Sequence, residues 1–367
     1  MTYVASGVLV LLFLSRSGIP KPLLTEATPP CQILSKLYMR VEFRIVKKVW
    51  ISLGLALLIV CGLQSTAKAQ ALEKVLITHS SDSVSITPLL YGIEKGFYRK
   101  EGIDLQFRVL RGELAVSSIV AGKDVDYMYG AGTVFFAAVR GVPMKIFSHD
   151  FKSVLFYLMG NSRIQSGQDL KGKKVAVASL SGTGAAATRA SLRAIGVDPD
   201  REVTLIVIGA ASVRMAAMEA GSVEAAIMPV PWNIRMKQKG FKELIFAGKV
   251  MSQPLTGLAS SKDKAEKNPE QLKKMLRGFL RTLRAVREDK KGVTEFIAKK
   301  FSLDADAADE TYKIMLQTMS DDGMVSEADL KDLLEQAKHE TGAKRDIALK
   351  EIVDYSLLRQ VTRETGR

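Results

Sequence analysis

Cysteine is nearly missing from this chain, and where it occurs matters more than how much there is. The only two cysteines of the 367 residues are Cys31 and Cys61, both before residue 70. Everything downstream is therefore without a thiol, a disulfide or a cysteine-ligated metal. Histidine is scarce too: His79, His149 and His339 stand far apart, with no His-Glu-x-x-His spacing. No metal, no cofactor and no catalytic residue is predicted. Long apolar runs are absent after residue 70, so no later segment is expected to span a bilayer. Basic runs interleaved with aromatics are absent as well, which speaks against nucleic-acid binding.

The formal charge is +14. Residues 1–69 hold eight of the 53 basic and two of the 39 acidic residues, leaving 45 against 37, or +8, from Gln70 onward. That surplus is dispersed among acids, as in Arg287-Glu288-Asp289-Lys290-Lys291, and points to a mild bias toward anionic ligands.

The two apolar runs lie in the first 69 residues. Arg40, Arg44, Lys47 and Lys48 form a basic region, Val49 to Gly62 an apolar one, and Ala67-Lys68-Ala69 a small-residue cleavage site before Gln70. That order is a secretory signal peptide over 39–69, and it predicts export to the periplasm. The short apolar run argues against a membrane anchor, and Val60 before Cys61 argues against lipidation. Residues 1–38 contain the apolar stretch Val4 to Leu14 without a preceding basic residue, followed by Pro20, Pro22, Pro29 and Pro30. They read as an upstream segment, with Met39 as the expected start.

From Val75 the pattern alternates between short β-rich runs and stretches of helical periodicity. Val75 to Thr78, Ile103 to Leu110 and Val125 to Tyr129 read as strands, with helices over Ile86 to Tyr98 and Leu114 to Ala121. The same order recurs from Lys174. Ala121-Gly122 matches Ala220-Gly221, and Arg140-Gly141 before Ile146-Phe147 matches Lys239-Gly240 before Ile245-Phe246. Two similar α/β lobes with mostly parallel sheets follow. Beyond Ser261 the chain reads as helix, opened by Asn268-Pro269-Glu270 and again by the capping box Ser326-Glu327-Ala328-Asp329. The expected lobes are 72–160 plus 256–360, and 165–250, with the helical C-terminal part packed on the first. Crossings near Asn161–Gln165 and Ser252–Thr256 would form a hinge beside a cleft.

Three stretches carry a family resemblance. Tyr91-Gly92-Ile93-Glu94-Lys95-Gly96-Phe97-Tyr98-Arg99-Lys100-Glu101-Gly102-Ile103, Ala121-Gly122-Lys123-Asp124-Val125-Asp126 and Asp169-Leu170-Lys171-Gly172-Lys173-Lys174-Val175 resemble the nitrate/sulfonate/taurine-binding proteins of ABC transporters. Binding proteins for a thiamine pyrimidine precursor belong to the same group. The resemblance covers roughly residues 72–360. It implies a bilobal periplasmic-binding-protein fold of type II, a small-molecule ligand between the lobes, a permease partner in the inner membrane and a monomeric state. Pyrimidine-synthesising relatives rely on a cysteine-rich motif that is absent here.

Ser179-Leu180-Ser181-Gly182-Thr183-Gly184 lies between a strand and a helix. It nearly fits a dinucleotide fingerprint, but the next strand ends in Ile208-Gly209-Ala210-Ala211 without the acid that holds a ribose. What remains is a helix N-terminus with free N–H groups and hydroxyls, able to cradle an anion. The repeat places Ser81 and Ser83 opposite Ser181 and Thr183. Gly132 and Thr133 follow the third strand, and Trp232 follows Pro231 at the equivalent place in the second half. The candidate ligand-binding set is Ser81, Ser83, Gly132, Thr133, His149, Ser181, Gly182, Thr183 and Trp232. No arginine stands out in these loops.

Overall fold

The computed structural model describes residues 71–80, 83–110, 112–180, 182–251 and 253–366. The signal-peptide and upstream-segment expectations, and the candidates Ser81 and Ser181, lie outside the described residues. Among the described residues no helix is long and apolar enough to cross a membrane.

The first stretch runs β1 (Glu73–His79), α1 (Thr87–Glu94), β2 (Ile103–Val109), α2 (Gly112–Val120), β3 (Tyr127–Tyr129), α3 (Ala131–Val139) and β4 (Met144–Ile146). After β5 (Phe156–Gly160) the order repeats: β6 (Lys173–Val177), α4 (Thr183–Ala194), β7 (Val203–Val207), α5 (Ala211–Glu219), β8 (Ala225–Pro229), α6 (Trp232–Gln238) and β9 (Lys242–Phe246). Then come β10 (Leu258–Ser261) and the helices α7 (Lys262–Lys267), α8 (Pro269–Glu288), α9 (Lys290–Phe301), α10 (Ala305–Thr318), α11 (Glu327–Thr341), α12 (Leu349–Ile352) and α13 (Ser356–Glu364).

Two five-stranded sheets result, ordered β2-β1-β3-β10-β4 and β7-β6-β8-β5-β9. They correspond position for position. In each, the first three strands pair in parallel and the fourth runs antiparallel to both neighbours. That fourth strand is exchanged: β10 comes from beyond the second sheet's segment, and β5 from before it. Phe156–Gly160, expected in the first lobe, therefore pairs with β8 and β9 of the second sheet, and the chain leaves the first sheet earlier than 161–165. An antiparallel strand buried on both faces carries the same apolar pattern as a parallel one, so its sequence does not declare its sheet.

The repeat extends to side chains that lock strand ends. Asp126 Oδ2 accepts the Leu76 N–H at 2.8 Å, and Lys264 Nζ donates to its other oxygen at 2.7 Å. In the second sheet Glu224 accepts the Lys174 N–H at 3.1 Å.

The C-terminal helices share one hydrophobic core with the first sheet. Leu272, Leu276, Phe279 and Leu283 of α8 pack with Val75, Ile77 and Leu89. Burial of each such side chain contributes about 1.5–3 kcal/mol. Asn268 holds the N-cap position of α8, yet its side-chain amide donates back to Lys264 O rather than capping; Pro269 supplies the start. Ser326 does cap α11, accepting from the Asp329 N–H at 3.1 Å. Close approach of α8 depends on two glycines. A Cβ on Gly92 would lie 2.1 Å from Thr282 Oγ1, and one on Gly278 would lie 2.5 Å from the Tyr98 ring. The Glu101 carboxylate then bridges Arg277 and Arg281 at 2.6 and 2.8 Å.

Gly92→Ala should therefore destabilise despite the better helix propensity of alanine, by roughly 1–3 kcal/mol of overpacking. Thr282→Ala in the same chain should recover part of that loss. Urea midpoints of the four forms check it, and additivity of the two substitutions would refute the contact.

Candidate functional site

In an open α/β sheet, ligands collect beyond the carboxyl ends of strands, where neighbouring connections depart in opposite directions. The first sheet has that point between β1 and β3, the second between β6 and β8.

At the first, His79 spans the gap. Its Nδ1 hydrogen-bonds to Tyr129 O, which makes Nδ1 the donor, and its Nε2 lies 3.3 Å from Ser85 Oγ. Ser85 Oγ in turn meets Ser83 Oγ at 2.8 Å. The Ser85–His79 pair has the elements of a nucleophile and base. However, Ser85 is 1% exposed, its hydroxyl also engages Ser83, and the ring is held by a carbonyl rather than a carboxylate. The chain of groups orients Ser83 at the start of the turn into α1.

At the second, the side chain comes from a helix. Arg214, in the first turn of α5, donates from Nε to Ile227 O at 3.0 Å and from Nη1 to Ile208 O at 3.2 Å and to Gly209 O. Burial pulls its pKa down to about 10.

The lobes touch where α3 and α4 begin. A Cβ on Gly132 would lie 2.6 Å from Thr183 Oγ1 and 3.2 Å from Pro254 O. Gln253, on the returning crossing, donates from Nε2 to Thr183 Oγ1 at 3.1 Å, while its Oε1 is buried without a hydrogen-bond partner among the described residues. The Val84 N–H donates to Val230 O at 2.9 Å. Farther out, α6 meets the C-terminal helices: Lys237 pairs with Glu310 at 2.8 Å, Gln238 donates to Asp304 at 3.2 Å, and Arg235 donates to Phe301 O.

Of the expected residues, Ser83, Gly132 and Thr183 sit on these facing strand-to-helix turns. Gly182 is the N-cap of α4 at φ 81°, with open space where a Cβ would stand. Thr133 lies half-buried on α3 with its methyl group toward Gly112. Trp232 starts α6, half-buried against a cluster containing Met159, Met228 and Met236, with the Arg235 guanidinium 4.8 Å from its ring. His149 is placed differently: it is buried against the C-terminal segment, with Nδ1 2.6 Å from Tyr355 Oη. Gln253, His79 and Arg214 were not anticipated. Gln253 lies in a crossing without periodicity, and Arg214 bonds to backbone carbonyls 5, 6 and 13 positions away, which no side-chain pattern marks.

Next to His149, Asp150 is fully buried. It accepts from Tyr129 Oη and from Thr256 Oγ1 at 2.5 Å. Burial raises its pKa to about 7, against the pull of those two donors, and burial lowers that of His149 to about 3. The two shifts act oppositely on stability. A raised carboxyl contributes stability that is present below about pH 4 and lost as pH rises to about 7. A depressed imidazole contributes stability that is present above about 6.5 and lost as pH falls to about 3.

Comparison with known proteins follows this geometry. The family model described as NMT1/THI5 like matches residues 83–291. Among solved structures, a Bordetella bronchiseptica RB50 protein superposes with a TM-score of 0.68 at 17% identity, over 80% of this chain and 98% of that one. The periplasmic aliphatic sulphonate binding protein SsuA from Escherichia coli gives 0.60 at 17%, over 76% and 91%. The periplasmic nitrate-binding protein NrtA from Synechocystis PCC 6803 gives 0.65 at 15%, over 80% and 89%. No match was found among curated proteins. The fold is that of the bilobal periplasmic binding proteins. The chain belongs to the NMT1/THI5-like family.

Asp150→Asn should make stability rise with pH relative to the parent between about 4 and 7, by up to ~1.4 kcal/mol per pH unit. His149→Gln should do the reverse between about 3 and 6.5. Denaturant melts across pH 4–7.5 measure both, and parallel curves for parent and variants would remove the linkage.

Proposed function

We propose that this chain is the periplasmic solute-binding component of an ABC importer, capturing a small molecule between two lobes and handing it to a permease. One lobe comprises 71–146 and 258–366, the other 156–249, with hinge crossings at 147–155 and 250–257. The observation that carries the reading is the meeting of Gly132, Thr183 and Gln253, where two helix N-termini from opposite sheets approach within contact distance. Each N-terminus carries partial positive charge, worth ~0.3–1 kcal/mol to a negative or strongly polar group; at α3 the Gly132 N–H already donates to Leu255 O at 3.2 Å. The hydroxyls of Ser83 and Thr183 orient the solute, joined on the sequence repeat by Ser81 and Ser181, and Trp232 flanks it. The named sulphonate- and nitrate-binding neighbours support the same reading. Export through the signal peptide and action as a monomer belong to it. Binding is favoured over catalysis because no cysteine follows residue 61 and the Ser85–His79 pair is enclosed.

A thermal-shift screen of the protein from Gln70 against a metabolite panel tests the proposal. A ligand at ~100 times its Kd adds roughly 2.7 kcal/mol of stability. Thr183→Ala should weaken the solute found by about tenfold, the loss expected for one hydrogen bond. Gly132→Val should hold the lobes apart and weaken binding further while the ligand-free protein stays folded. Unchanged affinity in both variants would place the solute elsewhere.

A further inference from the structure

We infer that Arg214 is the residue that recognises a negatively charged group on the solute, so that the receptor selects anions over neutral molecules. The inference rests on the proposed binding role and deepens it.

Three observations converge on Arg214. It is a guanidinium only 4% exposed, and no carboxylate pairs with it among the described residues. Its bonds go to three backbone carbonyls through Nε and Nη1, while Nη2 makes no hydrogen bond among the described residues. It sits in the first turn of α5, where the helix dipole opposes a cation. A buried cation with no counter-charge is costly, and groups held against local preference concentrate at functional sites.

Its position is that of the second sheet's crevice. Ile208 donates its N–H to Val177 O at 2.8 Å, at the end of β6. Ile227 lies one residue beyond the last β6–β8 pair, Ala176–Ala226. By bonding to the carbonyls of both Ile208 and Ile227, Arg214 spans the end of β6, from which the loop to Gly182 and Thr183 departs. The carbonyls hold the guanidinium plane and leave one nitrogen for a ligand. The two N–H groups of that nitrogen can meet oxygens of a carboxylate, sulfonate or nitrate, whereas a neutral heterocycle would leave the charge unmatched.

The test uses nitrate, methanesulfonate, benzoate and neutral cytosine as probes, at constant ionic strength, on the protein from Gln70. At least one of the three anions should raise the melting temperature and bind by calorimetry, and Arg214→Gln should weaken it by about tenfold or more. Arg214→Lys keeps the charge but not the fork and should fall between. For variants that lose the fold, the parent alone suffices: the bound anion should protect Arg214 from phenylglyoxal, read by peptide mass spectrometry. Anion binding unchanged in a folded variant, or modification of Arg214 unaffected by the anion, overturns the inference. Cytosine binding without anion binding also overturns it but leaves the receptor reading standing. No binding of any probe overturns it too, and a blank metabolite screen beside that result removes the receptor reading as well.

Discussion

The exchange of one antiparallel strand between the sheets is the constraint on which the rest of this structure depends. β10 completes the first sheet only after the chain has built the second, and β5 completes the second before its first parallel strand is made. The first sheet is therefore never whole within a continuous stretch of sequence, whereas the second, β5 to β9, is. Two crossings follow of necessity, side by side, and the carboxyl ends of both sets of parallel strands are brought to the same gap. The cleft is thus a consequence of topology, and the side chains only furnish it.

The crossings are fastened by groups that water cannot reach. Asp150 takes hydrogen bonds from Tyr129, at the end of β3, and from Thr256, on the returning crossing. Its backbone carbonyl accepts from the Ser320 N–H at 2.8 Å, while the His149 N–H donates to Gly323 O at 2.7 Å. Outgoing crossing, returning crossing and C-terminal helices are therefore joined through two adjacent residues. A buried carboxyl without a cation beside it resists ionisation, yet its two hydroxyl donors favour the charged form. The knot is firm on the first-lobe side, whereas contacts between the lobes include exposed polar pairs, such as Lys237 with Glu310. Exposed pairs of that kind contribute ~0–1 kcal/mol.

What the sequence disclosed was periodicity and punctuation. The βαβ order, the repeat and the helical C-terminal part were legible because parallel strands, helix stops at Gly122 and Gly221 and the Ser326 cap are local signals. The exchanged strand was not legible, since Phe156–Gly160 has no feature that marks its partners. The strand-to-helix turns with Ser83, Gly132 and Thr183 were found from their place after strands and before helices. Nearness of His149 to a crossing does not say on which side its ring will pack; Tyr355, more than two hundred positions away in sequence, decides it. Gln253 escaped for the same reason, its partner Thr183 being 70 positions away, and Arg214 escaped because its partners are backbone carbonyls that no residue pattern marks.

The repeat is geometric rather than chemical, and that difference bears on what the cleft can hold. Both sheets close their crevice with a side chain that reaches across strand ends to a backbone carbonyl. In the first sheet it is an imidazole donating from one nitrogen to Tyr129 O and leading on to the hydroxyls of Ser85 and Ser83. In the second it is a guanidinium fixed by three carbonyls. Two walls of like shape and unlike charge impose a direction on whatever lies between them. A group carrying negative charge gains most beside Arg214, and a group that exchanges hydrogen bonds without net charge gains most beside Ser83. In the proposed receptor, a solute with both kinds of group would satisfy both walls in one orientation only, so that its polarity would be sensed along with its size.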